Sequence, residues 1–235
     1  SSKIAYMCNR IKNSEGIIFI YSQYIDGGTV PLALSLEEMG ITRYGTVSSL
    51  FKTPPTEPLN VLTMKPREQN KPFKPAKYIM ITGQKSLTPD VKREIQAATN
   101  KDNVNGERVK VIIVSRAGSE GLDFQNIRQM HILDPWYNIN REEQVIGRAV
   151  RGKSHCMLPY IKRNVELNLY ATRLKNEEFE AIDLYVYRHA EKKALQIANV
   201  TRVIKETAVD CNIYSALKTG KDVEQYVCYG HGQVE

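Results

Sequence analysis

Short apolar runs of strand length, separated by segments of helical pattern, constrain this chain more than any other feature of its sequence. Gly16–Tyr21, Tyr78–Gly83, Lys110–Ser115 and Gln129–Asp134 are such runs. An apolar run that does not alternate with polar residues suits a strand buried on both faces, the environment of a parallel sheet. Between the runs lie helical signals. One helix is expected over Thr29–Met39, with Thr29 as its cap, Pro31 in its first turn and Gly40 as its stop. A second is expected from Thr88-Pro89-Asp90 to Thr99, and a third from Asn140, with Glu143 in capping-box spacing. Ile41–Tyr44 reads as a further short strand. Strand and helix alternate about four times, which predicts an α/β fold with a parallel sheet and helices on both faces.

Two regions depart from this rhythm. Residues 45–77 hold six of the ten prolines with scattered lysines, so they read as an irregular, partly mobile insertion within one fold. Beyond His155, the residues Val165, Leu167, Leu169 and Ala171 alternate as a strand would. A long helical stripe then follows: Phe179, Ile182, Val186, Ala190, Ala194, Ile197, Val200 and Ile204 recur at three- and four-residue steps from Glu177 to about Val209. Such a stripe is expected to pack on the sheet or on a neighbour. The division expected is therefore 1–160 for the sheet domain and 161–235 for a strand and long-helix extension. Residues 212–235 show no period.

Composition excludes several classes. With 42% hydrophobic and 25% charged residues, the 235-residue chain is ordinary globular sequence, neither collagen, coiled coil nor wholesale disorder. No window approaches the roughly 18 apolar residues of a membrane span, and no membrane partner is expected. The start, Ser1-Ser2-Lys3-Ile4, has neither an initiator Met nor the pattern of a signal peptide, so the chain reads as part of a longer protein. The formal charge of +7 is compatible with a polyanionic partner. Cys8, Cys156, Cys211 and Cys228 form no CxxC pair, which suggests a reducing compartment and neither a zinc site nor a disulfide framework. Cys228 and His231 have a ligand-like gap but no second pair.

Chemistry concentrates between Ser115 and Arg151. The loop Ser115–Phe124 follows the clearest strand, and loops at the carboxyl ends of parallel strands are where such sheets bind ligands. Gly118 and Gly121 would let backbone amides approach a phosphate, and Asp123 could accept from a ribose hydroxyl. Gln144, Arg148 and Arg151 stand at i, i+4 and i+7, so a helix would place all three on one face. Gly147 would keep that face low enough for another surface to come close. Two guanidinium forks and an amide suit a triphosphate. A solvated basic face is the alternative, and an interior helical glycine, which costs about 1 kcal/mol relative to alanine, counts against it. Trp136 and His131 are expected to pack the loop and strand that carry them.

These residues carry a resemblance. Gln144-x-x-Gly147-Arg148-x-x-Arg151 resembles motif VI of superfamily 2 helicases and translocases, and Ser115–Asp123 resembles their motif V. Phe19–Gln23 is similar to motif IV, and Thr82-Gly83 to the next turn that contacts nucleic acid. The order and spacing are similar to the second RecA-like lobe over residues 15–155. Ser115–Arg151, with His131–Asn138, most resembles the helicases of large cytoplasmic DNA viruses, the group of the poxvirus early transcription factor small subunit and its asfarvirus relatives; Swi2/Snf2 remodelers are a cellular likeness. Arg116 and Glu120 set the chain apart from the DEAD-box pattern.

The resemblance implies roles. Arg151 would be the arginine finger toward the γ-phosphate, with Arg148 and Gln144 at the same phosphates. Gly121 and Asp123 would line the ribose side of the nucleotide. Ser22, Gln23, Thr82, Gly83 and Ser115 would touch a nucleic-acid backbone. ATP and Mg²⁺ are the implied cofactors. DNA, with RNA as the alternative, an N-terminal RecA-like lobe of the same protein and viral transcription machinery are the implied partners, in host cytoplasm or virion. The sequence given has no phosphate loop of the GxxxxGK[ST] type and no Asp-Glu-x-His motif. Hydrolysis is therefore expected only together with a first lobe. The rival readings are a Swi2/Snf2-like duplex translocase lobe and a non-catalytic nucleic-acid-binding scaffold of the same fold.

Overall fold

In the computed structural model, which describes residues 1–45, 49–53, 56–116, 121–174 and 179–209, the apolar runs become the interior strands of one parallel sheet. β1 (Ile17–Tyr21) and β4 (Val111–Val114) have every side chain buried. β2 (Thr42–Arg43), β3 (Lys77–Ile81), β5 (Ile127–Ile132) and β6 (Glu166–Leu169) complete the order β2-β3-β4-β1-β5-β6, with every neighbouring pair parallel. Phe19 lies level with Ile112 on one side and Met130 on the other.

Because successive side chains point to opposite faces, each strand feeds two cores. Ile18, Ile20, Tyr78, Met80, Val111 and Ile113 meet α1 (Ser2–Lys12) and α2 (Val30–Glu38) through Met7, Ile11, Leu32 and Leu36. Ile17, Phe19, Ile79, Ile112, Val114 and Met130 meet α3 (Val91–Ala98) and α4 (Ile139–Ala149) through Ala97, Ala98, Val145 and Ala149. Each fully buried large side chain contributes about 1.5–3 kcal/mol. The α/β class with helices on both faces therefore stands. α1 escapes the sequence reading, although Ile4, Met7 and Ile11 stand at i, i+3 and i+7 and pack together on the first core.

Helix starts differ from expectation by a residue or two. Thr29 has helical backbone (φ −65°, ψ −39°) and continues a π-helical turn over Ile25–Thr29; its hydroxyl donates to the Ile25 carbonyl at 3.2 Å and caps nothing. Asp90, not Thr88, caps α3 by accepting from the Arg93 amide at 3.3 Å, while the buried Thr88 hydroxyl donates to the Met80 carbonyl at 2.9 Å. α4 begins at Ile139 with no capping box. Glu142, which faces inward, accepts from the Trp136 amide at 3.2 Å, two residues ahead of the N-cap Asn138, and Glu143 is exposed.

The proline-rich insertion is irregular, as its composition requires, yet it is anchored within the described residues. Asn60 and Pro75 form an antiparallel bridge, and Leu59, Val61, Met64 and Ala76 join the first core. Glu37 holds its start: the carboxylate accepts from the Ser49 hydroxyl, the Leu50 and Phe51 amides at 3.0 and 3.1 Å, and the Tyr78 hydroxyl at 2.7 Å. Burial raises the Glu37 carboxyl, but these hydrogen bonds outweigh it and hold the pKa below the ordinary range.

The boundary expected near residue 160 falls just before β6, which is the sixth strand of the same sheet. α5 (Ile182–Thr207) buries only Val186 and Ala190. Lys3 pairs with Asp183 at 2.6 Å and holds its first turn to α1. The later members of the stripe, Ile197, Val200 and Ile204, are 52, 61 and 62% exposed, so the helix packs by its first half only. Cys211, Cys228 and His231 lie outside the described residues, as does the rest of the tail from 210. No described helix is long and apolar enough to cross a membrane.

One buried carboxyl gives the fold a pH signature. Glu94 of α3 is nearly inaccessible, and neither of its carboxylate oxygens has a hydrogen-bond partner. Burial pushes its pKa from 4.5 up to about 7, and the nearby Arg43 charge offsets this only in part. The folded state thus keeps a proton that the unfolded chain has released, and this group's contribution to stability falls as pH rises from about 4.5 to about 7. Glu94→Gln, uncharged at every pH, is expected to stabilise the chain by about 1–3 kcal/mol at pH 8 and by little at pH 5. Thermal melts at the two pH values check this; equal shifts at both would refute the assignment.

Candidate nucleotide and nucleic-acid edge

Four adjacent strands, β3, β4, β1 and β5, end side by side, and strands in a sheet lie about 4.8 Å apart. Their ends carry Thr82-Gly83, Ser115-Arg116, Ser22-Gln23 and Leu133-Asp134. The three hydroxyls expected to face nucleic acid turn inward. Ser22 is buried and donates to Asp134 Oδ2 at 2.6 Å; the same oxygen accepts from the Gln23 amide at 3.1 Å. Thr82 is paired with Thr88 at 3.2 Å, and Ser115 donates to the Thr82 carbonyl at 3.1 Å. These bonds tie neighbouring strand ends together. The groups that face outward are the partly exposed Gln23 side chain, Arg116, and the Gly83 backbone, which has the positive φ of +77° that glycine tolerates.

Arg141 was not singled out in the sequence, although it stands seven residues before Arg148 on the same face of α4. Its guanidinium donates to Gln23 Oε1 at 3.3 Å and lies 4.5 Å from the centre of the Trp136 ring. Trp136 is thereby engaged within the chain, as expected of a packing residue. His131 is also internal: Nδ1 meets the Tyr170 hydroxyl at 2.7 Å, Nε2 meets Gln129 at 3.0 Å, and burial pushes its pKa down to about 4.

α4 sets Val145 and Ala149 toward the core and Gln144 toward solvent. The expected single helical stripe of Gln144, Arg148 and Arg151 does not form. The helix ends at Ala149, Val150 is extended (φ −108°, ψ 94°), and Arg151 lies past the end. Partners outside the helix take its last carbonyls: the Phe124 amide donates to the Arg148 carbonyl at 3.1 Å, and the Ser154 hydroxyl lies 3.5 Å from the Ala149 carbonyl. Ser154 Oγ also accepts from the Arg151 amide at 3.2 Å and contacts His155, whose Nε2 is 2.6 Å from the Ile127 carbonyl. A tight turn thus replaces the next helical turn.

The two arginines nevertheless converge, through Asp123. The Arg151 guanidinium donates to Asp123 Oδ2, and Arg148 comes within 3.9 Å of Oδ1. Asp123 is placed by its neighbour Phe124, whose amide is bonded to the end of α4 and whose ring packs 5.5 Å from that of Phe19. With two guanidinium groups against one carboxylate, a net positive charge remains at an exposed edge. Gly121 (φ +74°) is exposed just before it, and a side chain there would meet nothing within 4 Å. Gly118 lies outside the described residues. Gln144 lines a cleft of about 410 Å³ between α4 and α5 with Trp136, Arg141 and Lys193. Arginine forks fit phosphate oxygens. Among the described residues no three His, Cys, Asp or Glu groups cluster closely enough for a metal ion.

Comparisons with known proteins find helicases. Residues 60–153 match the helicase conserved C-terminal domain. The chain is 33% identical over 220 residues to helicase 087L of Invertebrate iridescent virus 3, covering 91% of this chain and 20% of that protein. It is 30% identical over 233 residues to the termination factor NPH-I homolog of African swine fever virus (Tick/Malawi isolate), covering 90% of this chain and 33% of that protein. A third relative, ATP-dependent RNA helicase R350 of Acanthamoeba polyphaga mimivirus, is 38% identical over 122 residues, covering 49% of this chain and 15% of that protein. The chain thus spans a third or less of these relatives' lengths. In fold it is similar to the C-terminal part of the Fun30 ATPase domain, with a TM-score of 0.52 at 14% identity, covering 81% of this chain and 45% of that one.

The outer face of α4 holds a testable vacancy. A Cβ at Gly147 would meet nothing within 4 Å. Gly147→Ala is therefore expected to raise stability by about 0.5–1 kcal/mol through helix propensity. That is about 1–4 °C in Tm, read by calorimetry; a fall in Tm would mean that the helix needs glycine there.

Proposed function

We propose that this chain, which carries a conserved helicase C-terminal domain and is related to viral superfamily 2 helicases, is the second RecA-like lobe of an ATP-dependent DNA helicase or translocase that works in viral transcription. The observation that carries the reading is the convergence of Arg148 and Arg151 on one carboxylate at an open face of α4. The transcription link rests on the African swine fever virus relative, which is named a termination factor homolog. RNA is the second substrate to test, because the mimivirus relative is named an RNA helicase.

In this reading a first lobe holds ATP and Mg²⁺, and the metal neutralises developing phosphate charge when bound. Closure brings Arg148 and Arg151 to the γ-phosphate, and the bare Gly147 face lets the other lobe come close. Gln23 and Gly83, with the backbone at Ser22, Thr82 and Ser115, follow a nucleic-acid strand. Arg141 joins Gln23 to α4, on which Arg148 stands about 10 Å further along the axis, so a shift of α4 on closure is felt at the strand. Gln144, one turn before Arg148 on the exposed side of α4, meets the same phosphates, and Gly121 and Asp123 border the nucleotide.

In the full-length protein Arg151→Ala should lower ATP turnover about a thousandfold while leaving ATP affinity within a few fold, because the finger acts mainly on the transition state. Arg151→Lys should rescue poorly, since an ammonium cannot make the forked contact. Nucleotide affinity and phosphate release, measured on the same preparation with DNA and with RNA, decide the point; near-normal turnover of Arg151→Ala would remove the reading. The same assay on Gly147→Ala should show reduced turnover despite its higher Tm. The 235-residue chain alone should bind single-stranded DNA weakly, with affinity falling steeply as salt rises. Salt-insensitive binding in an oligonucleotide titration would instead point to base stacking.

A further inference from the structure

We propose that Asp123 stands in for a nucleotide phosphate: its carboxylate gathers Arg148 and Arg151 when no nucleotide is present, and a polyphosphate takes both arginines from it. This rests on the reading that the two arginines meet nucleotide phosphates, and it adds a positioning residue to that site.

The reason lies in where Arg151 sits. Residues on a helix inherit their direction from it, but Arg151 follows an extended Val150 and has no helical register with Arg148. Its side chain is 60% exposed and would otherwise sample many rotamers. Asp123 removes that freedom. One of its oxygens faces Arg148 and the other Arg151, as two oxygens of a phosphate would. The carboxylate is itself fixed, because Phe124 next to it is bonded to the end of α4 and packed on Phe19.

The contact is also weak enough to yield. The Asp123 side chain is 52% exposed, and an ion pair this open to water is weak. A carboxylate carries one negative charge, whereas a triphosphate carries several and offers more oxygens to two forks. Asp123 therefore competes with the incoming phosphate but loses to it, and it holds the arginines together until then.

Removing the charge should make the arginines easier to capture. In isothermal titration of the 235-residue chain with inorganic tripolyphosphate at low salt, Asp123→Asn is expected to bind about three- to tenfold more tightly than the unmodified chain. The gain should shrink as salt is raised. It should also vanish when Arg148→Ala and Arg151→Ala are added, and it should exceed that of Asp102→Asn, which removes an exposed acid elsewhere. Asp123→Ala should behave as Asp123→Asn does. Unchanged or weaker binding in both Asp123 variants, a gain that survives loss of the two arginines, or an equal gain from Asp102→Asn would each overturn the proposal. The outcome is separable from the proposed function: Arg151→Ala could abolish turnover in the full-length protein while Asp123→Asn leaves tripolyphosphate binding unchanged, and then only the stand-in role fails.

Discussion

Everything at the functional edge depends on the complete burial of β1. None of its side chains reaches water, so its amides and carbonyls must all be satisfied by β4 and β5, and those two strands are thereby held level with it. Once three parallel strands are in register, their carboxyl ends form a row, and the loops after them emerge together. The alternation of side chains then fixes which helix lies where. Ile18 and Ile20 require α1 and α2 on one face, while Ile17 and Phe19 require α3 and α4 on the other. α4 is thus set against the sheet by packing, and Phe19, one of the residues beneath it, also supports Phe124 and so Asp123.

The two halves of the edge are joined by few bonds, each with an identifiable function. Asp134, at the end of β5, fixes the loop after β1 by accepting from Ser22 and from the Gln23 amide. Arg141 links that loop to the first turn of α4, and the Phe124 amide links the last turn of α4 to the loop after β4. α4 is therefore held at both ends by different strand-end loops, the arrangement a rigid element needs if it is to transmit displacement between two sites.

Much of this was legible in the sequence, and the misses have physical causes. β1 and β4 announce themselves because a strand buried on both faces is a near-continuous apolar run, whereas β5 carries Gln129 and His131 in its interior and buries them by pairing them with each other and with Tyr170. The arginine pair was visible as chemistry but not as geometry: its placement on one helical stripe assumed that the helix continues, whereas the tertiary bonds of Phe124 and Ser154 to its last carbonyls end it at Ala149. Ser22, Thr82 and Ser115 are set against a nucleic-acid backbone by the resemblance alone, but the direction of each hydroxyl is decided by its partner in the fold: Asp134 for Ser22, Thr88 for Thr82 and the Thr82 carbonyl for Ser115. α1 carries a helical stripe of Ile4, Met7 and Ile11 too short to stand out, and the role of Arg141 has no local signal because Gln23, its partner, lies 118 residues away.

The extended backbone at Val150 divides the pair into a stiff member and a compliant one. Arg148 moves with α4 as a rigid body, so its reach is set by how the whole helix is seated. Arg151 hangs past an extended residue and is held by the exposed Asp123, so its reach is not tied to the seating of the helix. Two arginines on one straight rod would demand perfect alignment from whatever they grasp; a rod with a jointed tip tolerates error in docking and still closes two forks on the same charge.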